Sequence, residues 1–587
     1  MNKKQRAKEL VLNVYRDSKD FYSSIRDEWN QLYKLSVGQS DKKKKKFNRF
    51  VPVIPAYIDL ILPRIAGRLP IFDVAGRSPD DDAHGDLMKK VVDYFLDKTN
   101  FHEFEVNFIQ QAIIYGTSVA QIGWNLQKKP AHRDVAEMTG VVEDIYKDEP
   151  YYQIVPIENL FPHRKKVKID DEWGIVIREE VSRRDLKNDP NIDNASLGQV
   201  GAPQNEDEWF SQINRNTSRN QNGEKNPSED PDDDVLVKLT YWGPFDGEES
   251  VIAVVNGSVV CRMERNPFWH QCKPFVKLDY KPSATNFFCE GLVKQLKDLQ
   301  LELNEIRNVR SEARAIALRT PLLVDRGSNV NIDQMKWENS AVWLYDQTQN
   351  PNPIVPMRVE SKLLELNTEE ETTIRDMQLR SGINDVVTGA NDVGVQGGDT
   401  ATGASIAAEQ TSLRFKTQSI LIDIAMQEIG NQTISNIQQY VDSQMVFSIT
   451  GDDVSEWRQY DPNTMRQFRF DFKVMPQSTL VEPKSAKREK LLQLKQLFEQ
   501  DPSIDQDKLD DMILDSFDID ADQIKKSKEQ MAKEQASMEL EQVATQINSP
   551  DFAMMRPDEQ QLLVDHMNSL RGLVEQPGQQ PVGAVPA

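Results

Sequence analysis

The chain has 587 residues, and 93 acidic against 71 basic side chains give it a net charge of −22. A chain of this length can bury several cores, so we expect more than one domain. Its negative charge argues against tight, sequence-independent binding of nucleic acid, which needs a positive field to release counterions. Three cysteines predict no disulfide framework, and we find neither a membrane-length apolar run nor a signal sequence. We therefore expect a protein that is made in the cytoplasm and is neither secreted nor membrane-spanning.

The N-terminal third alternates between helical and strand patterns, which predicts a mixed α+β domain. Helices are predicted at Lys4–Leu35, Pro52–Gly67, Asp86–Leu96 and Glu103–Tyr115, and strands at Ile71–Val74, Val119–Trp124, Tyr151–Pro162 and Glu172–Glu180. Gly116 is expected to end the fourth helix. The run Lys42–Lys46 favours a solvated linker over a contact with nucleic acid or an anionic surface. No catalytic pattern is found in this third.

A polar stretch follows at residues 188–234, where Asn, Asp, Gly, Pro and Ser dominate. So few apolar residues cannot offset the entropy of ordering, which predicts an exposed insertion that is ordered only when a partner holds it. Strands resume at Val235–Trp242, Ser250–Val255 and Ser258–Met263. The dipeptide Asn256-Gly257 is a strong signal for a hairpin turn between the last two.

The centre of the chain contains two helical patterns on either side of a strand-rich segment. The first begins near Gly291 and ends at Thr320-Pro321, because the residue before proline is pushed out of helical geometry. The second runs from Val359 to Arg380, and Gly382 is expected to cap it in a left-handed conformation. The pattern is that of a stalk carrying a small β tip, and an ordinary helical hairpin with an elaborated loop is the alternative.

The C-terminal part begins with a glycine-rich loop at residues 383–402. We predict a long helix over Ala401–Val441, strands at Gln444–Thr450 and Arg466–Val474, and helices at Lys484–Glu499 and Asp505–Ser516. The last residues are rich in Pro, Gly and Gln, which predicts disorder.

The candidate chemical motifs are incomplete. Gly398 and Gly403 have the spacing of a phosphate-binding loop, but Ala404 stands where that loop needs lysine. Cys261, His270 and Cys272 lack the spacing of zinc ligands. We therefore expect no enzyme, no cofactor and no metal.

One segment, residues 266–325, resembles the wing-to-stem segment of portal proteins of tailed bacteriophages. The resemblance rests on Pro267-Phe268, Pro274-Phe275, Gly291, Asp298-Leu299-Gln300, Asn304 and Thr320-Pro321, with further matches in residues 113–125, in Val155–Pro162 and in the glycine-rich loop. These parts occur in the expected order over residues 50–525. Size and pattern favour the short-tailed phage branch.

The resemblance implies an α+β, multidomain portal fold in a ring oligomer, with the following parts: wing at 1–285 with the polar insertion 188–234, stem helices at 286–319 and 358–382, clip at 320–357, tunnel loop at 383–402, long helix and returning wing strands at 403–480, crown at 481–525 and C-terminal tail at 526–587. It further implies a dodecamer at one capsid vertex. The implied partners are capsid and scaffolding proteins, the terminase packaging motor, tail adaptor proteins, and double-stranded DNA that passes without sequence-specific binding.

Four sets of residues are candidates for the functions of such a ring, and a structural ring or tube protein without DNA passage is the alternative. The tunnel-loop set is Asp385, Asn391, Asp392, Gln396, Gly397, Gly398, Asp399 and Thr400. The channel-facing acidic set is Glu365, Glu369 and Glu370, and the clip-docking set is Arg326, Lys336, Trp337 and Trp343. The stem-packing set is Leu292, Leu296, Leu299, Leu303 and Ile306. Their spacing of three and four residues predicts a helix that packs along its length on other helices, and the resemblance implies that this seam packs neighbouring stems against each other.

Overall fold

The computed structural model describes residues 2–39, 48–67, 72–78, 81, 84–135, 138–198, 200, 235–318, 322–324, 354–356, 363–383, 401–442, 445–450, 455–474, 491, 494–496 and 513. The chain divides into two units, Met1–Val481 and Glu482–Ala587. In the second unit, which contains most of the predicted crown, the few described residues are helical. The elements below all belong to the first unit.

The described helices and strands confirm a mixed α+β architecture. The helices are α1 (Lys3–Phe21), α2 (Ser23–Ser36), α3 (Val53–Ile65), α4 (Gly85–Lys98), α5 (Phe101–Tyr115), α6 (Arg183–Asn188), α7 (Asn194–Leu197), α8 (Leu292–Leu318), α9 (Leu363–Ser381), α10 (Ala401–Tyr440) and α11 (Pro462–Met465). The strands are β1 (Phe72–Gly76), β2 (Thr117–Val135), β3 (Met138–Val155), β4 (Leu160–Pro162), β5 (Ile175–Ser182), β6 (Val235–Phe245), β7 (Glu248–Val255), β8 (Val259–Arg265), β9 (Phe275–Asp279), β10 (Leu322–Val324), β11 (Ile354–Pro356), β12 (Met445–Thr450), β13 (Ser455–Tyr460) and β14 (Phe470–Val474).

The predicted N-terminal helix is broken into α1 and α2 at Tyr22. One face of α1, with Ala7 and Val11, packs on a five-stranded sheet, whereas Trp29 of α2 packs in the main core. Tyr22 is itself buried and meets the ring of Phe288 edge to face, with centroids 4.9 Å apart. The prediction of one continuous helix was wrong because the two halves serve different cores.

A long antiparallel hairpin, β2 and β3, follows α5. The strands contain 19 and 18 residues, so they extend well beyond the segment predicted at Val119–Trp124. Strand β9 pairs with the first residues of β2, which gives a three-stranded sheet in the order β3-β2-β9. Gly116, with φ of 93°, ends α5 immediately before β2, as predicted.

The larger sheet is antiparallel, in the order β4-β5-β6-β7-β8. Asn256 and Gly257 both have positive φ at the turn between β7 and β8, which confirms the predicted hairpin. Asp246 and Gly247 make an equivalent turn between β6 and β7. The sequence prediction missed that turn because it ended β6 at Trp242, whereas the strand continues to Phe245.

The first part of the polar stretch is folded, which corrects the expectation of an exposed insertion over residues 188–200. Ile192, Leu197 and Val200 are buried in a small core against β6, β7 and β8. The side chain of Asp193 caps α7 by accepting a hydrogen bond from the backbone N–H of Ala195. These few apolar side chains suffice because the sheet supplies the rest of the core. Residues 201–234 lie outside the described residues.

The C-terminal elements of the first unit contact elements from its N-terminal part. Strand β14 pairs with β1, which joins Phe72–Gly76 to Phe470–Val474. Gly430 of α10 lies under the ring of Phe472, where a β-carbon would come within 2.1 Å of the ring. The guanidinium of Arg466 donates to the carbonyl oxygens of Gln438, Gln439 and Val441 and so caps the C-terminus of α10.

Candidate functional site

The hairpin of α8 and α9 is the candidate functional site, and it begins where two glycines bring backbones together. A β-carbon on Gly116 would lie 2.2 Å from the carbonyl oxygen of Cys289, and one on Gly291 would lie 2.7 Å from the nitrogen of Gly116. The hydroxyl of Thr117 accepts a hydrogen bond from the N–H of Cys289 at 2.9 Å. Helix α8 therefore starts directly on the end of α5, and only glycine permits this approach.

A ladder of polar side chains on α8 holds the segment that enters α3. The amide of Gln300 accepts from the N–H of Ile54 at 3.2 Å and donates to the carbonyl oxygen of Val51 at 2.7 Å. Asn304 accepts from the N–H of Val51 at 2.9 Å, and Asn308, one turn further, accepts from the N–H of Arg49 at 2.8 Å. The four-residue spacing puts all three amides on one face of α8. Gln300 and Asn304 thereby satisfy backbone groups of Val51 and Ile54 that are wholly or partly buried.

The leucine seam of α8 is used inside the subunit. The side chains of Leu292, Leu296, Leu303 and Ile306 are buried, and Leu299 is partly buried against the main core. Helix α8 packs on α2, α3, α5 and α9 of the same chain. A seam buried in this way is not available to contact a neighbouring copy of the chain.

The two helices run antiparallel and are joined by a cluster of charges, which we call the Glu370 cluster: Arg307, Arg310 and Glu370. Arg307 donates a hydrogen bond to the carboxylate of Glu370, and Arg310 forms an ion pair with the same carboxylate and donates to the side-chain oxygen of Asn367 at 2.6 Å. Glu370 is buried, with 6% of its surface exposed. Its assignment as a channel-facing residue was therefore wrong: a buried carboxylate needs cationic partners, and both of these lie on α8.

The other two predicted acidic residues, Glu365 and Glu369, are exposed on α9. With about 100° of rotation per residue, they share one flank of the helix with Asp376. The exposed charges on the two helices are predominantly acidic: Asp298, Glu302, Glu305, Glu312, Glu365, Glu369, Glu371 and Asp376 against Arg314, Arg375 and Arg380. The surface of the hairpin is therefore strongly negative. At the C-terminus of α9, Gly382 has φ of 79°, as predicted for the cap.

The remaining candidate residues are not placed. The tunnel-loop set, from Asp385 to Thr400, and the clip-docking set of Arg326, Lys336, Trp337 and Trp343 lie outside the described residues. Of the predicted clip, the structure describes β10 and β11, which pair antiparallel with Leu322 opposite Pro356. This pairing closes the base of the segment between the two helices.

A family comparison decides what this hairpin belongs to. Residues 252–568, more than half of the chain, match the family described as "Phage P22-like portal protein". The chain belongs to this family. The match confirms the resemblance to portals of short-tailed phages, and it includes α8, α9 and α10. Portal proteins are structural proteins of the virion that form the connector ring at a capsid vertex.

A solved structure described as "Neck of empty GTA particle computed with C6 symmetry" is also similar to this portal. The match covers 83% of this chain and 93% of that chain, with 9% identity and a TM-score of 0.35. At that TM-score the likeness carries no weight in the assignment.

The described residues show neither a metal cluster nor a membrane span. No group of three or more His, Cys, Asp or Glu side chains among them is arranged to hold a metal ion. Cys261 is buried in the small core over the large sheet, and the Nδ1 atom of His270 accepts a hydrogen bond from the N–H of Cys272. The described helices that reach the length of a bilayer lack the hydropathy of a membrane span.

A second buried carboxylate, Glu105 on α5, was missed by the sequence analysis. Burial, with a smaller contribution from the charge of Asp423 on α10, raises the pKa of Glu105 to about 8. One of its oxygens lies 3.2 Å from the Nδ1 atom of His102. The signal was available, because Glu105 lies between the apolar positions Phe104 and Phe108, on the buried face of the helix.

Proposed function

We propose that this portal forms a closed dodecameric ring and that double-stranded DNA passes through it during packaging and ejection. The observation that carries the proposal is the acidic surface of the α8–α9 hairpin, on a chain that belongs to a portal family. The two arginines that could have offset this surface are engaged by Glu370. An acidic wall does not release counterions from DNA, so it gives the duplex no tight binding site at which to stop.

Within this ring, we assign Glu365 and Glu369 to the channel wall and residues 383–402 to a tunnel loop around the DNA. Residues 1–285 would form the wing, residues 320–357 the clip, and residues 481–525 a helical crown. The clip would dock first the terminase motor and then the tail adaptors, through Arg326, Lys336, Trp337 and Trp343. The wing and crown would meet the capsid and scaffolding proteins. The portal would be made in the host cytoplasm, would have no catalytic activity and would need no cofactor.

The first test is negative-stain electron microscopy of the purified full chain, with native mass spectrometry of the same sample. We expect rings with a central opening wide enough for duplex DNA and a mass of twelve subunits. A tube or disc without a continuous opening would favour the alternative, a structural virion component without DNA passage, and would overturn the proposal.

The second test places positive charge on the proposed channel wall. The double variant Glu365→Lys, Glu369→Lys should slow DNA translocation in a packaging assay and should make it more sensitive to salt, because each lysine adds a phosphate contact. The matched control is Asp97→Lys, which changes an exposed acid on α4. Unchanged packaging by the double variant would show that these glutamates do not face the DNA.

A further inference from the structure

The two helices of the hairpin expose matching pairs of side chains. Helix α8 exposes Leu301 and Glu305, and α9 exposes Arg375 and Leu379. Each pair is four residues apart, so its members are neighbours on one helical face. Leu301 is 40% exposed and Leu379 is 64% exposed. Each helix therefore presents a leucine beside a charge, which is negative on α8 and positive on α9.

The two pairs point away from each other within one subunit. The Glu370 cluster marks the face that each helix turns toward the other. With about 100° per residue, Leu301 lies roughly 150° around α8 from the arginines of that cluster, and Leu379 lies roughly 150° around α9 from the side that carries Glu370 and Asn367. The two exposed faces are therefore on opposite sides of the hairpin, where a ring places its two neighbours.

The charges on these faces have no partner among the residues that the structure describes. Within the described ranges, neither Glu305 nor Arg375 makes an ion pair or a side-chain hydrogen bond, whereas Arg307 and Arg310 are both engaged. Two exposed charges of opposite sign, each beside an exposed leucine, are complementary. Complementarity of this kind fixes the register of an interface.

The spacing matches when α8 of one copy lies antiparallel to α9 of the next. Along such a pair of helices, the step from Leu301 to Glu305 runs in the same direction as the step from Leu379 to Arg375. The register of the hairpin, in which Arg307 faces Glu370, already places Glu305 within about 4.5 Å of Arg375 along the stem axis. A small shift or tilt between neighbours brings both pairs together.

We infer that neighbouring copies of this chain pack α8 on α9, with Leu301 against Leu379 and Glu305 paired with Arg375. The inference rests on the proposed ring and names the surface that closes it. The contact is heterologous, since one face of each copy meets the opposite face of the next, and such a contact closes a ring where the rotation between copies divides a full turn.

A charge swap tests the pairing. Glu305→Arg and Arg375→Glu should each place like charges across every interface and should raise the concentration needed for half-assembly at least about tenfold. The double variant should restore assembly toward the wild type. The control is Asp27→Arg, an exposed acid on α2, and circular dichroism of each variant checks that the subunit is folded. Wild-type assembly by both single variants, or no rescue by the double variant, would overturn the pairing.

A disulfide cross-link tests the leucine contact separately. In a Cys272→Ser background, which removes the exposed native cysteine, the variant Leu301→Cys, Leu379→Cys should oxidise to a ladder of cross-linked species that ends at the closed ring. Either single cysteine variant should give no ladder. If the wild-type chain forms rings but oxidation of the double-cysteine variant leaves only monomer, the inferred contact is overturned and the portal ring is not. A wild-type chain that forms no ring would overturn both.

Discussion

Two buried glutamates are stabilised in different ways, one on α5 and one in the α8–α9 hairpin. Glu370 of α9 lies against two arginines of α8, so it is buried together with its countercharges. Glu105 of α5 has a half-exposed histidine beside it, and burial, with a smaller contribution from the charge of Asp423, raises its pKa. The cluster in the hairpin thus joins two helices through charge. The site on α5 stays neutral at pH values where an exposed glutamate is ionised.

The largest loss of stability should follow removal of Glu370, the carboxylate that the two arginines of the hairpin share. Glu370→Ala leaves two arginines facing each other at a partly buried contact, and we expect it to lower the free energy of unfolding by about 3 kcal/mol. Urea unfolding of the full chain measures this loss. The control is Glu369→Ala, whose side chain is exposed on the next residue and whose loss should cost less than about 0.5 kcal/mol. Equal effects of the two variants would show that the cluster does not stabilise the hairpin.

Loss of a neutral polar contact on α8 should have an intermediate effect. Gln300→Leu keeps the approximate volume but leaves the N–H of Ile54 without its partner, whereas the carbonyl oxygen of Val51 still accepts from the N–H of Val53. An unmet buried backbone N–H should cost about 2 kcal/mol in unfolding free energy. Hydrogen exchange of residues 49–54 provides a local measurement, in which Gln300→Leu should increase the exchange rate. Glu302→Ala, at an exposed position of α8, is the matched control and should leave these amides protected.

Long periodic elements were predictable from the sequence. The predicted bounds of α5 and α10 agree with the structure to within two residues, because their apolar spacing persists over many turns. The turn at Asn256-Gly257 was predictable because both residues favour positive φ. The α+β architecture and the portal family were also identified correctly, since the order of the parts carries that information.

The position of individual charges was not predictable. Glu369, Glu370 and Glu371 are identical in type and adjacent in sequence, yet only Glu370 is buried. Its inward orientation is decided by Arg307, which is 63 residues away in the chain. The break at Tyr22 has a similar origin, since it depends on two cores that form from distant segments. The local sequence pattern predicts the helix, whereas contacts with the partner helix determine which face of it is buried.

The buried glutamate of α5 should make the stability of the fold depend on pH. In the unfolded chain Glu105 has a pKa near its ordinary value of 4.5, whereas in the folded chain burial raises the pKa to about 8. Between these values the folded state holds a proton that the unfolded state has released, so stability falls as pH rises, by at most about 1.4 kcal/mol per pH unit. The contribution is fully present below pH 4.5 and is lost as pH rises through 8.

Glu105→Gln should remove this dependence, because the amide does not ionise. In urea unfolding at pH 5, 6, 7 and 8, the free energy of unfolding of the variant should therefore rise relative to that of the wild type at each step. The two free energies should differ least at pH 5. Glu103→Gln, on the exposed side of the same helix, should follow the wild type throughout. Parallel curves for Glu105→Gln and the wild type would mean that Glu105 is ionised in the fold, and that its surroundings also supply a countercharge, as α8 does for Glu370.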